Sequence, residues 1–462
     1  METFSRAGFP FRPSLQLILL LAILAVLWIA GGASREDAMG QPLVRAACAL
    51  ILVAAALFGK KISFRGVKPI FFLLSAAVLL AILQLIPLPP GMWQALPGRH
   101  LLIETAQLTG TGQPWRPLSL VPEATANAAA SLIVPATVLI LVSGLSSADR
   151  SWLPGSILIF IVMSMFIGLL QFSGIVLNNP FINDTPGQVA GSFANRNHFA
   201  LLLALGCLLA PVWVYHDAHQ SRWRGIVAFG LVLLFALTIL ASGSRTGLIL
   251  GALALGIGLL LVRQSIRRTL RRYPRWAFPA LIGGVAGAIA IFVLISFVAD
   301  RAASISRVLT VDVGQDLRAR ALPTVLAMIR DYFPFGSGLG GFDPVFRIHE
   351  PFELLNFTYL NHAHNDLLEV VLDAGLPGLL LIAAALLWWG WASVRAWRGP
   401  DTRNMLPRLG SAMLLLIVIA SAFDYPARTP AIMAIIVVAG VWLSSTDDQR
   451  GRSALPQADQ PL

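Results

Sequence analysis

The run Asn361-His362-Ala363-His364-Asn365-Asp366-Leu367-Leu368-Glu369 places two imidazoles and two carboxylates within nine residues. An imidazole is a general base near neutral pH and a carboxylate can orient it, so this is the equipment for taking a proton from a hydroxyl. On a helix, Glu369 falls about one turn beyond Asn365, with Asp373 a further turn along the same face. The block opens a long apolar run, so its carboxylates must face a helix bundle or a water-filled cavity rather than lipid. Helix capping accounts for part of the pattern: Asn361 or Asn365 suits an N-cap, and Asp366 and Glu369 are favoured there by the helix dipole. Capping gives no reason for a histidine at 364.

Upstream, Pro334-Phe335-Gly336-Ser337-Gly338-Leu339-Gly340-Gly341-Phe342 packs four glycines into six residues. Such a loop either cradles phosphate with its backbone, through Gly338 and Gly340, or turns the chain between a surface helix and a re-entering segment. Two arginines stand in polar breaks between apolar runs: Arg196 in Ser192-Phe193-Ala194-Asn195-Arg196-Asn197-His198, and Arg245 in Ser242-Gly243-Ser244-Arg245-Thr246-Gly247. Each either snorkels to the membrane rim or offers its guanidinium fork to an oxyanion. Together these groups suit a diphosphate leaving group and a hydroxyl nucleophile that needs a base. Cys48 and Cys207 both lie inside apolar runs, so no disulfide framework or metal cluster is expected.

The elements that hold these groups follow from composition. The chain has 462 residues, 56% hydrophobic and 12% charged, against about 25% charged in soluble domains; its mean hydropathy is +0.74. This excludes soluble enzymes, secreted disulfide scaffolds and nucleic-acid binders. The expectation is an all-α polytopic integral membrane protein of about twelve spans. They lie near 15–31, 43–59, 70–87, 125–144, 154–177, 198–215, 224–241, 246–262, 277–298, 366–393, 407–423 and 430–444. The net charge of +11 is concentrated in alternate loops, including the six arginines of 263–275. By the positive-inside rule those loops and both termini are cytoplasmic. Residues 1–446 then form the membrane domain and 447–462 a disordered cytoplasmic tail. Removing the first apolar run as a signal peptide would invert the charge parity, so it reads as an uncleaved helix. The opposite side carries two long loops, 88–124 and 299–363. The second holds Arg301, Arg307, Arg318, Arg320, Arg330 and Arg347, with helical spacing over 300–309 and 315–331.

At these residues the chain resembles the O-antigen ligase and polymerase superfamily of bacterial inner-membrane glycan transferases. The resemblance runs in order through Pro117–Thr125, Ser192–Ala200, Ser242–Gly247, Gly336–Gly340, His362–Glu369 and Gly375-Leu376-Pro377-Gly378. It implies a GT-C-like fold with a long periplasmic loop between the ninth and tenth spans, and a metal-independent inverting transfer without cofactor. The donor would be a glycan on undecaprenyl diphosphate; the acceptor would be a second lipid-linked glycan (polymerase) or lipid A–core (ligase). The form of the motifs leans toward polymerase. By the same resemblance Arg196 and Arg245 hold the diphosphate, Arg318 or Arg320 adds a third contact, and His364 deprotonates or orients the acceptor hydroxyl. Asp366 or Glu369 would orient that imidazole, with His362 and Asn365 contacting the acceptor or supporting the site. Membrane lipids, a chain-length regulator and a flippase are the implied partners, and no nucleic acid. Two other classes stand beside this one: a transporter for a small anion such as bicarbonate, and a non-catalytic scaffold of a polysaccharide export complex. No internal repeat is visible and the charges gather at the outer rim, which disfavours transport.

Overall fold

The structure, a computed structural model, describes residues 13–60, 62–183, 187–215, 222–270, 317–355, 360–399 and 405–453, together with Trp276, Gly283 and Gly287. Each long apolar run within them is helical, as a bilayer requires of a chain whose backbone groups find no water. In order the principal helices are α1 (Leu15–Ala30), α2 (Gly40–Phe58), α3 (Lys68–Gln84), α4 (Pro122–Ser131), α5 (Ile133–Ser143), α6 (Leu153–Phe172), α7 (Arg196–Tyr215), α8 (Arg222–Ser242) and α9 (Arg245–Leu270). They continue with α10 (Leu317–Tyr332), α11 (Phe342–His349), α12 (Asp366–Arg398), α13 (Met405–Ser421) and α14 (Pro430–Ser453). A two-residue antiparallel pair, Pro87–Leu88 with Arg116–Pro117, closes the first outer loop.

Among the described residues, seven helical segments are long and apolar enough to cross a membrane: α2, the α4–α5 pair, α6 with the short helix before it, α7, α8, α9 and α12. Helices α1, α3, α13 and the first part of α14 are shorter and equally apolar. The chain is therefore a polytopic membrane protein. The expected ninth span at 277–298, apart from Gly283 and Gly287, and the segment 300–309 with Arg301 and Arg307 lie outside the described residues. Helix α14 runs to Ser453, past the boundary expected at 446.

Helix α7 is buried over 83% of its span, against 22–50% for the other six. A helix apolar on every face belongs at the centre of a bundle, and α7 packs on α6, α8, α9 and α13. Its first residue, Arg196, thereby opens the middle of one end of the bundle. Large apolar side chains such as Leu50, Phe58 and Leu387 remain exposed on the outer helices, as a lipid-facing surface requires.

A second, smaller core caps that same end. Ala321, Val325, Met328 and Tyr332 of α10 pack with Phe342, Val345 and Phe346 of α11 and with Leu372 of α12. The helix expected over 315–331 is thus present, with its apolar stripe turned into this cap. Arg99 ties the first outer loop to it: fully enclosed, it donates to Leu118 O at 2.7 Å and lies between the rings of Trp93 and Tyr332. Burial pushes its pKa down to about 10.

Helix α12 is broken. Gly375 sits at φ 57°, ψ −140°, two residues before Pro377. The contacts at the two ends of the helix reveal what the break does. Near its inner end, Ser393 meets Ser411 of α13 at 2.8 Å; at its head, Asp366 meets Ser421 at 2.9 Å. From Ser411 to Ser421, α13 rises about 15 Å at ~1.5 Å per residue. An unbroken α12 would rise about 40 Å between Ser393 and Asp366 at that same pitch. The nine residues Asp366–Ala374 must therefore fold back across the turn that joins α13 to α14. Only glycine serves at 375, because a Cβ there would stand 2.0 Å from Pro334 O. The N–H freed by the break, on Leu376, bonds the same Pro334 carbonyl at 2.8 Å.

Candidate active site

The short turn Ala422–Thr429 supplies the centre of the site. Asp424 is 2% exposed and accepts from His364 Nδ1 at 3.0 Å, Asn195 Nδ2 at 3.1 Å, Asn197 Nδ2 at 2.7 Å and the Tyr425 N–H at 3.0 Å. His198 Nε2 stands 3.7 Å from it, and Arg318 Nη1 also 3.7 Å. Asn197 in turn accepts from Ser244 Oγ at 2.7 Å, which joins the heads of α7 and α9. Arg196 and Arg245 are the first residues of those two helices, so each is adjacent in sequence to a member of the Asp424 network. The positive ends of α7, α9 and α12 gather at this point, a setting that favours a bound anion.

His364 has φ 50°, and it is the one non-glycine residue at positive φ among the described residues. A side chain held there costs on the order of 1–3 kcal/mol and persists only where its surroundings impose it. What imposes it is the bond to Asp424. A carboxylate ringed by amide and backbone N–H donors accepts only, so Nδ1 of His364 carries the proton and Nε2 is left as the basic atom. Burial lowers the His364 pKa below the ordinary histidine value, offset in part by Asp424. The ring is therefore neutral at neutral pH, the state a base requires. Asp424 itself is held well below the usual carboxylate range: burial opposes this, but the hydrogen bonds from His198 and His364 outweigh it. Tyr425, its pKa pushed up to about 12 by burial and by Asp424, packs its ring against His198, His362 and His364 at 5.0, 4.3 and 4.9 Å.

Four residues further on, Arg428 gathers the carboxylates of the folded-back helix: Asp366 at 3.3 Å, Glu369 at 3.2 Å and Asp373 at 3.5 Å. Burial alone would lower its pKa, but Glu369, Asp373 and Asp366 outweigh that and raise it. Asp366 also accepts from Ser421 Oγ and the Ala427 N–H. Glu369 accepts from His362 Nδ1 at 2.8 Å and the Ala363 N–H at 2.7 Å.

The structure corrects the expected orienting group. Asp424, sixty residues away in sequence, holds His364. Glu369 holds His362 instead, and Asp366 spends its oxygens on Ser421, Ala427 and Arg428. Asn365 is the N-cap of α12, accepting the Leu368 N–H at 3.0 Å and donating to Ala422 O. Of the two candidate arginines, Arg318 donates to Phe423 O at 3.3 Å and approaches Asp424, whereas Arg320 donates to Glu353 O at 2.7 Å. Arg318 is the one turned to the site.

Of the two forms expected for the glycine loop, the structure takes the chain turn. Its N–H groups are taken within the protein: Ser337 by Leu372 O, Gly338 by Asp373 O, Leu339 by Gln84 Oε1, Gly340 by Asp373 Oδ2 and Gly341 by Gly338 O. A Cβ on Gly338 would lie 2.2 Å from Ser119 Oγ. These donors cannot cradle a phosphate in this arrangement; the loop wedges the broken helix against Gln84 and Ser119, and Gly338 and Gly340 are packing residues.

Sequence reasoning missed Asp424, Tyr425 and Arg428. The available signal was an acid and an arginine in a turn of only eight residues between two apolar runs. Among the described residues, no group of three or more His, Cys, Asp or Glu is arranged to hold a metal ion.

A polytopic helical membrane protein with an imidazole–carboxylate pair at one end of its bundle is the class this geometry defines. Residues 229–383 match the family model described as O-antigen ligase. The chain is also 27% identical over 203 residues to the exopolysaccharide production protein ExoQ of Rhizobium meliloti (strain 1021). That match covers 43% of this chain and 45% of the relative, less than half of its length. Each over less than half of its length, the chain is thus similar to the O-antigen ligase family and to an exopolysaccharide production protein. The matched segment contains Arg245, Arg318 and His364; Arg196 and Asp424 lie outside it.

Proposed function

We propose that this protein transfers a glycan from an undecaprenyl-diphosphate donor to a sugar hydroxyl at the outer face of a bacterial inner membrane. The observation that carries the reading is His364, held at positive φ by a buried carboxylate, beside helix heads that begin with arginine. The acceptor hydroxyl gives its proton to His364 Nε2 as its oxygen bonds the anomeric carbon. The anomeric bond to phosphate breaks, with inversion, and undecaprenyl diphosphate leaves. Arg196, Arg245 and Arg318 stabilise the charge that develops on the leaving group. This chemistry calls on no metal and no cofactor. The cytoplasm holds both termini on this reading, and the acceptor is a second lipid-linked glycan, making the enzyme a polymerase; lipid A–core as acceptor makes it a ligase. A chain-length regulator and a flippase are its proposed partners.

One observation favours transport of a small anion: α12 is broken and carries three buried carboxylates, features found at transporter sites. The deciding experiment incubates purified protein in detergent with radiolabelled undecaprenyl-diphosphate oligosaccharide. Transfer predicts release of undecaprenyl diphosphate with longer glycan products, both lost in His364→Ala. If release fails even after lipid A–core is added, the transferase reading fails.

A further inference from the structure

The site holds two imidazole–carboxylate dyads, and transfer to a hydroxyl needs one base. His364 with Asp424 and His362 with Glu369 lie on the same tyrosine ring, with centroid distances of 4.9 and 4.3 Å. Both histidines bond their carboxylate through Nδ1, at 3.0 and 2.8 Å, and both keep 13% of the side chain exposed. The carboxylates differ in their partners. Asp424 is held by neutral amides and backbone, with Arg318 at 3.7 Å. Glu369 is fully buried and shares the closer guanidinium of Arg428, at 3.2 Å. A carboxylate so paired accepts only, so Nδ1 of His362 carries a proton and Nε2 is the ring nitrogen left to meet a ligand. Glu369, held by Arg428, fixes the ring.

Resting on the glycan-transfer reading, we propose that His362 is the acceptor-binding imidazole of this site. Its Nε2 accepts a hydrogen bond from a hydroxyl of the incoming sugar other than the attacking one, and thereby holds that sugar beside His364. Arg428 is a positioning residue: through Glu369 it sets the tautomer and the plane of the His362 ring, and through Asp366 and Asp373 it fixes the helix that carries Glu369. The ligand class is a sugar with a free hydroxyl neighbouring the one that attacks. No bond of the reaction forms or breaks at His362.

The test uses the full chain in detergent with undecaprenyl-diphosphate oligosaccharide as donor at saturation and an unlabelled lipid-linked oligosaccharide acceptor varied in concentration. His362→Ala should raise the acceptor KM about tenfold to a hundredfold, the worth of one hydrogen bond in a desolvated site, with the donor KM unchanged. Glu369→Gln and Arg428→Met should raise the same KM, and Arg428→Lys should restore part of it. An acceptor deoxygenated at the neighbouring hydroxyl should lose affinity for wild type and be indifferent to His362→Ala. Should wild type fail to transfer to this acceptor and also to lipid A–core, the parent reading falls. Wild type that transfers while His362→Ala keeps the acceptor KM, or lowers only kcat, overturns the present inference alone. Monodisperse elution of each variant separates these effects from misfolding, and Glu369→Gln, which keeps side-chain volume, stands in if Arg428→Met does not fold.

Discussion

Asp424 and Arg428 stand four residues apart in one turn, and each is the hub of a charge cluster, but the clusters are built on opposite plans. Around Asp424 a single carboxylate collects neutral amide and backbone donors and the His364 ring with its open edge, while His198 and Arg318 stand off at 3.7 Å. Around Arg428 one cation collects three carboxylates from one helix, at the spacing Asp366, Glu369, Asp373. The first arrangement leaves a basic nitrogen available for work. The second consumes its charges in locking a broken helix to the turn beneath it. Buried charge alone therefore does not mark the reacting atoms; what distinguishes the two hubs is that the carboxylates of the second are shared with a buried cation that ties down a helix.

The largest expected effect falls on the first hub. His364→Ala should lower turnover about 10²–10⁴-fold, the range for loss of a general base, with thermal stability close to wild type. Undecaprenyl-diphosphate release and a melting curve on the same sample check both halves. Arg428→Met should show the reverse emphasis. It strands three buried carboxylates, and breaking a buried pair costs roughly 3–5 kcal/mol, so its melting temperature should fall well below that of Asp424→Asn. Equal melting temperatures would erase the distinction between the hubs.

The glycine loop sharpens the same contrast. Gly338→Ala drives a Cβ to within 2.2 Å of Ser119 Oγ at φ 108°. Strain of this kind costs about 1–3 kcal/mol, so stability should drop while the inhibition constant of free undecaprenyl diphosphate stays the same. A weakened inhibition constant would return the loop to the role of a phosphate cradle. The smallest effect is on pH. Because burial lowers the His364 pKa, the acid limb of kcat/KM should fall below the ordinary histidine value of about 6.5, with activity lost as the ring protonates. Asp424 opposes that lowering and Arg318 adds to it. Asp424→Asn should therefore move the limb to lower pH, and Arg318→Ala to higher pH; shifts of the opposite sign would refute the assignment.

Much of this was legible from the residues in order. Apolar runs of bilayer length became helices, because lipid leaves the backbone no other partner, and the amphipathic spacing of 317–332 became the helix that seals the outer cap. The polar block at 361–369 and the arginines at 196 and 245 did fall at one end of the bundle. What local spacing could not reveal was pairing across the bundle. Glu369 was a reasonable orienting group for His364 by proximity on a helix, but the break at Gly375 folds that helix over the α13–α14 turn and hands the role to Asp424. The glycine loop stays open in the sequence for a related reason: its composition is the same whether its N–H groups face a ligand or the broken helix, and only Gln84, Ser119 and Asp373, all distant in sequence, decide which.

The central claim is that His364 and Asp424 act as one unit in transfer. A double-mutant cycle tests it directly: undecaprenyl-diphosphate release is measured for wild type, His364→Ala, Asp424→Asn and the double variant under single-turnover conditions. If the pair works as a unit, the double variant is no slower than His364→Ala, because the carboxylate acts only through the ring. Losses that multiply across the two sites would show that Asp424 contributes independently of His364, and would contradict the account.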